Sequence, residues 1–123
     1  GVHAAPVPEA GAMRYHHLGI PTDEPQPGET YVPHLGLHCT DHERHPFGIQ
    51  WMRFDADSDF PEIVRTVPHV AFAVDDLEGA LAGHEVLIAP NSPSAGVRVA
   101  FVLCDGAPVE FLEFSRGPRR GEE

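Results

Sequence analysis

The sequence predicts an α+β fold assembled from two β-α-β-β-β units. Three observations predict it. A short pattern recurs at an offset of 52 residues: His17-Leu18-Gly19-Ile20 with Asp23, then His69-Val70-Ala71-Phe72 with Asp75. Segments rich in β-branched and aromatic residues alternate with clusters of Gly, Pro, Asn and Asp, the pattern of short strands between turns. The second copy also carries one helical segment behind its first strand. At 123 residues the chain fits one compact domain. A chain of this size buries roughly two-thirds of its unfolded surface and needs no disulfide staple.

The units are expected at residues 13–66 and 67–114, with flexible tails at 1–12 and 115–123. The second reads clearly. Pro68 precedes the strand His69 to Val74. Asp75-Asp76 supplies an N-cap for a helix over Leu77 to Ala82, and Gly83 stops it. Glu85 to Ala89 is a short strand, and Pro90-Asn91-Ser92-Pro93 a loop. Val97 to Cys104 and Val109 to Phe114 are strands joined by an Asp105-Gly106 hairpin turn. In the first unit Arg14 to Ile20 is a strand. Proline and acidic residues from Pro21 to Glu29 leave room only for a reduced helix, over Gly28 to His34. Leu35 to Thr40 and Ile49 to Phe54 follow as strands. Phe60 to Arg65, with Pro61 at an early position, reads as a connecting helix.

Alternation along each strand sorts the side chains by face. Val70, Phe72 and Val74 form an apolar side able to pack on Leu77 and Leu81, while His69 shares the other side with Ala71 and Ala73. Leu18 and Ile20 likewise oppose His17 and Gly19. On the last strand Glu110 and Leu112 lie opposite Val109 and Phe111. A carboxylate between Val109 and Phe111 needs a partner if it faces inward, because a lone buried charge is costly. Each half thus offers a histidine and an oxygen donor, Gln50 or Glu110, and the two halves together can hold one metal ion.

Composition narrows the function classes. Nineteen acidic residues against eight Lys plus Arg give a formal charge of −11. Nucleic acid and anionic membrane are poor partners for such a chain, since phosphate binding needs clustered cations. Arg116, Arg119 and Arg120 stand together only in the C-terminal tail. No apolar run approaches the roughly 20 residues of a membrane span, and residues 1–12 hold no secretory core. Cys39 and Cys104 fit no redox or zinc spacing and read as free thiols of a cytoplasmic protein.

Pro68-His69-Val70-Ala71-Phe72 and Gly106-Ala107-Pro108-Val109-Glu110-Phe111, with His17-Leu18-Gly19-Ile20 and Gly48-Ile49-Gln50-Trp51, resemble the vicinal oxygen chelate superfamily, also called the glyoxalase/bleomycin-resistance fold. The resemblance covers residues 13–114. It implies two β-α-β-β-β modules whose strands form a curved mixed sheet around a shared cavity. It also implies metal ligands at His17, Gln50, His69 and Glu110, of which Gln50 departs from the commoner glutamate. Such a set suits Zn, Ni, Co, Mn or Fe(II). A small-molecule substrate and a homodimer are implied as partners. Nothing identifies a glutathione pocket.

Three activities follow from the resemblance. The first is lyase or isomerase chemistry, with Glu110 moving a proton beside a metal-bound carbonyl. The second is an Fe(II) ring-cleaving dioxygenase using His17, His69 and Glu110 as a facial triad. The third is metal-free binding or sequestration of a small molecule. His34, His38, His42 and His45 read as solvated loop residues, with His38 and His42 at the spacing of a helical metal pair. One of these histidines is an alternative candidate for a cavity-lining acid–base group. Strand parity puts His16 on the face opposite His17, Glu113 on the rim or surface, and Trp51 and Phe111 in the core.

Overall fold

The computed structural model describes residues 13–115. Eight strands run β1 Met13–Pro21, β2 Thr30–Val32, β3 Leu37–Cys39, β4 Ile49–Phe54, β5 His69–Val74, β6 Glu85–Ser94, β7 Val97–Cys104 and β8 Ala107–Phe114. Two short helices join them, α1 Glu62–Thr66 and α2 Leu77–Leu81. All eight strands form one mixed sheet in the order β2-β3-β4-β1-β5-β8-β7-β6. The halves trace the same path outward from the centre. In each, the first strand runs parallel to the fourth, β1 with β4 and β5 with β8. The antiparallel β1–β5 pair joins them.

The sheet curls, so that one cavity is lined from both halves. His34, beyond β2, bonds through Nε2 to the Pro93 carbonyl on β6 at 2.8 Å, linking elements at the two outer ends of the sheet. The curved mixed α+β sheet expected from sequence is therefore present. The expected tails at 1–12 and 116–123 lie outside the described residues. Ser115 is not loose, because its N–H donates to the Gly96 carbonyl.

The second half follows its sequence closely. The Asp76 side chain accepts from Gly79 N–H and caps α2, which places Leu77 and Ala80 against the sheet. Val74, Leu77, Ala80, Ala100, Val102 and Phe111 make the core on this side, with Phe72, Leu81 and Val109 packed around them. Asp105 (φ 51) and Gly106 (φ 81) both take positive φ, which the tight β7–β8 hairpin requires. One expectation is corrected. Residues 90–93 are not a loop but part of β6. β6 is an edge strand with register shifts against β7. Pro90 and Pro93 are tolerated there because no outer strand asks for their missing N–H.

The first half departs further. The reduced helix expected over Gly28 to His34 is absent. Tyr31 and Val32 lie in β2, followed by one 3₁₀ turn over Pro33–Leu35. Pro33 biases Val32 toward extended backbone, and Val32 sits at φ −115, ψ 91. The first unit is thus β-β-β-β, with the Pro21–Glu29 segment in place of the helix. α1 begins two residues later than expected, and its Val64 is fully buried.

Leu77 is the largest fully buried side chain of the second half's core. Leu77→Ala is expected to lower unfolding free energy by about 2–5 kcal/mol in urea titration. Val86→Ala, at a 46% exposed position, should stay within about 0.5 kcal/mol.

Candidate metal centre

Strand register sets the candidate residues in two rows on one face of the sheet. Gln50, Gly19 and His69 are partners across β4, β1 and β5. His17, Ala71, Glu110 and Phe101 are partners across β1, β5, β8 and β7. Directly opposed residues share a face, so His17, His69, Gln50 and Glu110 lie on one side of the sheet, where His17, Gln50 and Glu110 line the cavity and His69 is buried against Glu110. Each histidine stands opposite a small residue of the other half's first strand: His17 opposite Ala71, His69 opposite Gly19. At Gly19 the exchange is tight. A Cβ there would lie 2.2 Å from Cε1 of the His69 ring. The ring occupies the space that glycine leaves.

His17, His69 and Glu110 are 4%, 1% and 8% exposed. His69 Nε2 lies 3.1 Å from Glu110 Oε1 in a hydrogen bond. His17 Nε2 lies 3.1 Å from the same oxygen, but off the line of a hydrogen bond, and this buried nitrogen has no aligned partner. His69 Nδ1 is a second buried nitrogen without one. Burial pushes the Glu110 carboxyl up, but the adjoining His17 and His69 imidazoles outweigh it and bring it down to about 2. The residue is therefore a carboxylate at neutral pH.

One donor atom from each of these three residues lies within 4.8 Å of the other two. Ligand atoms on a tetrahedral zinc stand about 3.3 Å apart, given bonds of about 2.0–2.1 Å. The 3.1 Å spacings match that geometry. Two imidazoles and a carboxylate are also a donor set that divalent transition metals accept. The residues present fit such an ion, and the orphaned His17 Nε2 is where one would bond.

The parity argument fails for His16. The β1–β5 register shifts between Tyr15 and His17, a bulge that leaves His16 without a partner strand position. His16 therefore turns to the same cavity as His17, with the two Nδ1 atoms 2.7 Å apart. Burial, and the nearby His17 and His42, lower the His16 pKa to about 4. His42 joins them, its ring centroid 4.3 Å from that of His16 and 5.4 Å from that of His17. No sequence signal marked the bulge beyond the adjacency of two histidines.

The remaining assignments divide. Glu113 lies on the helix side, accepting from Leu77 N–H and pairing with Arg98. Phe111 is in the core, whereas Trp51 is only half-buried, on the outer face. His38 and His42 are not a helical pair. His38 is on β3, stacked on Tyr31, while His42 opens a 3₁₀ turn capped by Asp41.

The cavity measures about 880 Å³. Its floor carries His16, His17, Gln50, Phe101, Glu110 and Leu112, and Asp55, Asp57 and Asp59 stand among its other lining residues. Among the described residues no lysine or arginine lines it.

The fold has solved relatives. A hypothetical protein, BH1468 from Bacillus halodurans C-125, matches with a TM-score of 0.65 and 17% identity, covering 86% of this chain and 97% of that one. Methylmalonyl-CoA epimerase from Mycobacterium tuberculosis matches with a TM-score of 0.60 and 17% identity, covering 84% and 89%. At this identity the likeness is one of fold. No protein family profile matches the chain, and no curated protein matches it in sequence. Among the described residues, no helix is long and apolar enough to cross a membrane.

Gly19→Ala places a methyl inside the His69 ring position. It is expected to lower stability by about 1–3 kcal/mol and to displace the His69 ring resonances in NMR spectra. Unchanged His69 shifts would show that the ring does not depend on Gly19.

Proposed function

We propose that the chain is a metal-dependent enzyme of isomerase or lyase type, moving a proton beside the carbonyl of a small uncharged substrate. One observation carries this reading. Two buried imidazoles from the two halves converge on one buried carboxylate, with the His17 Nε2 unpartnered, on the floor of a cavity of about 880 Å³. Metal-free binding would use the cavity but would leave that nitrogen stranded, at a cost of about 1–3 kcal/mol.

His17, His69 and Glu110 would hold the ion. A divalent ion bound there supplies Lewis acidity toward a substrate carbonyl. Gln50 extends the floor beside Gly19, where its amide serves as a fourth ligand or as a donor to substrate oxygen. Glu110 was the sequence's candidate for the proton carrier, but a carboxyl held near 2 is a weak base. We therefore assign Glu110 the ligand role and proton transfer to His42, which lies in the same wall with Asp41 Oδ1 4.0 Å from its Nδ1. The lining carboxylates and the lack of lining cations oppose an anionic substrate. We infer that an acyl-CoA thioester is not accepted, whatever the fold's neighbours bind.

Elemental mass spectrometry after reloading with Zn, Ni, Mn or Fe(II) tests the ligand set. About one ion per chain is expected, lost in His69→Ala and Glu110→Gln and kept in His38→Ala. Absence of any bound ion after reloading would overturn the reading.

Proton exchange at carbon tests the chemistry. Hydroxyacetone in D2O, followed by proton NMR, should exchange faster with loaded protein than with chelated protein. His42→Ala should lose this acceleration while keeping the ion. Oxygen uptake with Fe(II) and a catechol, without such exchange, would instead identify a dioxygenase.

A further inference from the structure

We propose that His16 is a positioning residue: it accepts the Nδ1–H of His17 and so fixes that ring in the tautomer whose Nε2 is free to bond a metal ion. The proposal rests on the metal-site reading above. The two Nδ1 atoms are 2.7 Å apart. At that distance one must donate and the other accept, because two lone pairs or two N–H groups would repel.

The direction follows from the other side of the His17 ring. Its Nε2 is buried 3.1 Å from Glu110 Oε1, with no aligned bond. That oxygen already has an aligned bond with His69 Nε2. A neutral imidazole carries one proton, and a nitrogen that bonds a metal ion carries none. With the ion on Nε2 the His17 proton is on Nδ1, where His16 accepts it. The His16 ring is itself held, with His42 at 4.3 Å on one side and Phe114 at 5.5 Å. The bulge in β1 gives up regular pairing at this one residue, which is how strands re-aim a side chain toward a site.

The same three imidazoles, His16, His17 and His42, lie close enough to hold an ion of their own. The spacing argues against it. A 2.7 Å separation is that of a hydrogen bond, and is shorter than the roughly 3.3 Å between two nitrogens on one tetrahedral zinc.

Long-range proton–nitrogen NMR on zinc-loaded, histidine-labelled protein reads the tautomers directly. His17 should be protonated on Nδ1, with His16 Nδ1 bare. His16→Phe should let His17 populate both tautomers and weaken Zn2+ binding about 10–100-fold. His16→Asn, which returns an amide oxygen as acceptor, should recover most of that affinity. His16 protonated on Nδ1 in the zinc-loaded protein, or Zn2+ affinity unchanged in His16→Phe, would overturn the proposal. So would a second zinc per chain that is lost in His42→Ala. Wild-type protein that binds no zinc would overturn both the metal reading and this one, whereas zinc binding indifferent to His16→Phe overturns this one alone. If His16→Phe does not fold, the wild-type tautomer and the Asn variant decide it.

Discussion

The structure depends on a reciprocal exchange of space across the β1–β5 ladder. His17 stands opposite Ala71 and His69 opposite Gly19, so each half's first strand makes room for the other's histidine. The antiparallel register brings the rings to a centroid distance of 5.5 Å, nearly perpendicular. A slip of β1 by one residue would turn His17 to the opposite face and bring Leu18 toward the cavity. Core packing and site geometry are therefore one constraint, since the register that buries Val74, Leu77 and Phe111 on one face also aims the histidines on the other.

Burying Glu110 would ordinarily favour its neutral form. Here two imidazoles meet one of its oxygens, and the carboxylate persists. The floor thus concentrates one negative charge among rings that are largely withdrawn from water. This arrangement attracts a cation more than it stabilises a fold, because buried ion pairs rarely gain more than their desolvation costs. The orphaned nitrogens of His17 and His69 point the same way. Buried polar atoms are normally satisfied, and those that are not mark places where function outweighs stability.

The halves contribute unequally. The second has a capped helix over its outer face and a dense core around Leu77. It supplies His69 and Glu110 from strands locked on both sides. The first has lost its helix to the Pro21–Glu29 segment and spends its chain on turns. Those turns carry His34, which contacts β6, and His42, which reaches His16. Both halves line the cavity, the first through β1, β4 and its turns and the second through β6, β7 and β8.

The sequence by itself determined the duplicated plan, most strand bounds of the second half, and the faces of their own strands on which His17, His69 and Glu110 lie. These follow from short-range regularities: a period of two, a capping aspartate, a turn dipeptide, and a repeated histidine with a small residue two positions on. It left the first half's helix wrong, because proline-rich sequence specifies where helix cannot form more firmly than what replaces it. It also ended β6 too early, since prolines read as a loop until an edge position excuses their missing donors. Only the tertiary structure decided the role of His16. Its direction depends on a bulge set by pairing with a strand more than fifty residues away, and strand parity computed along one segment cannot register a residue that the partner strand skips.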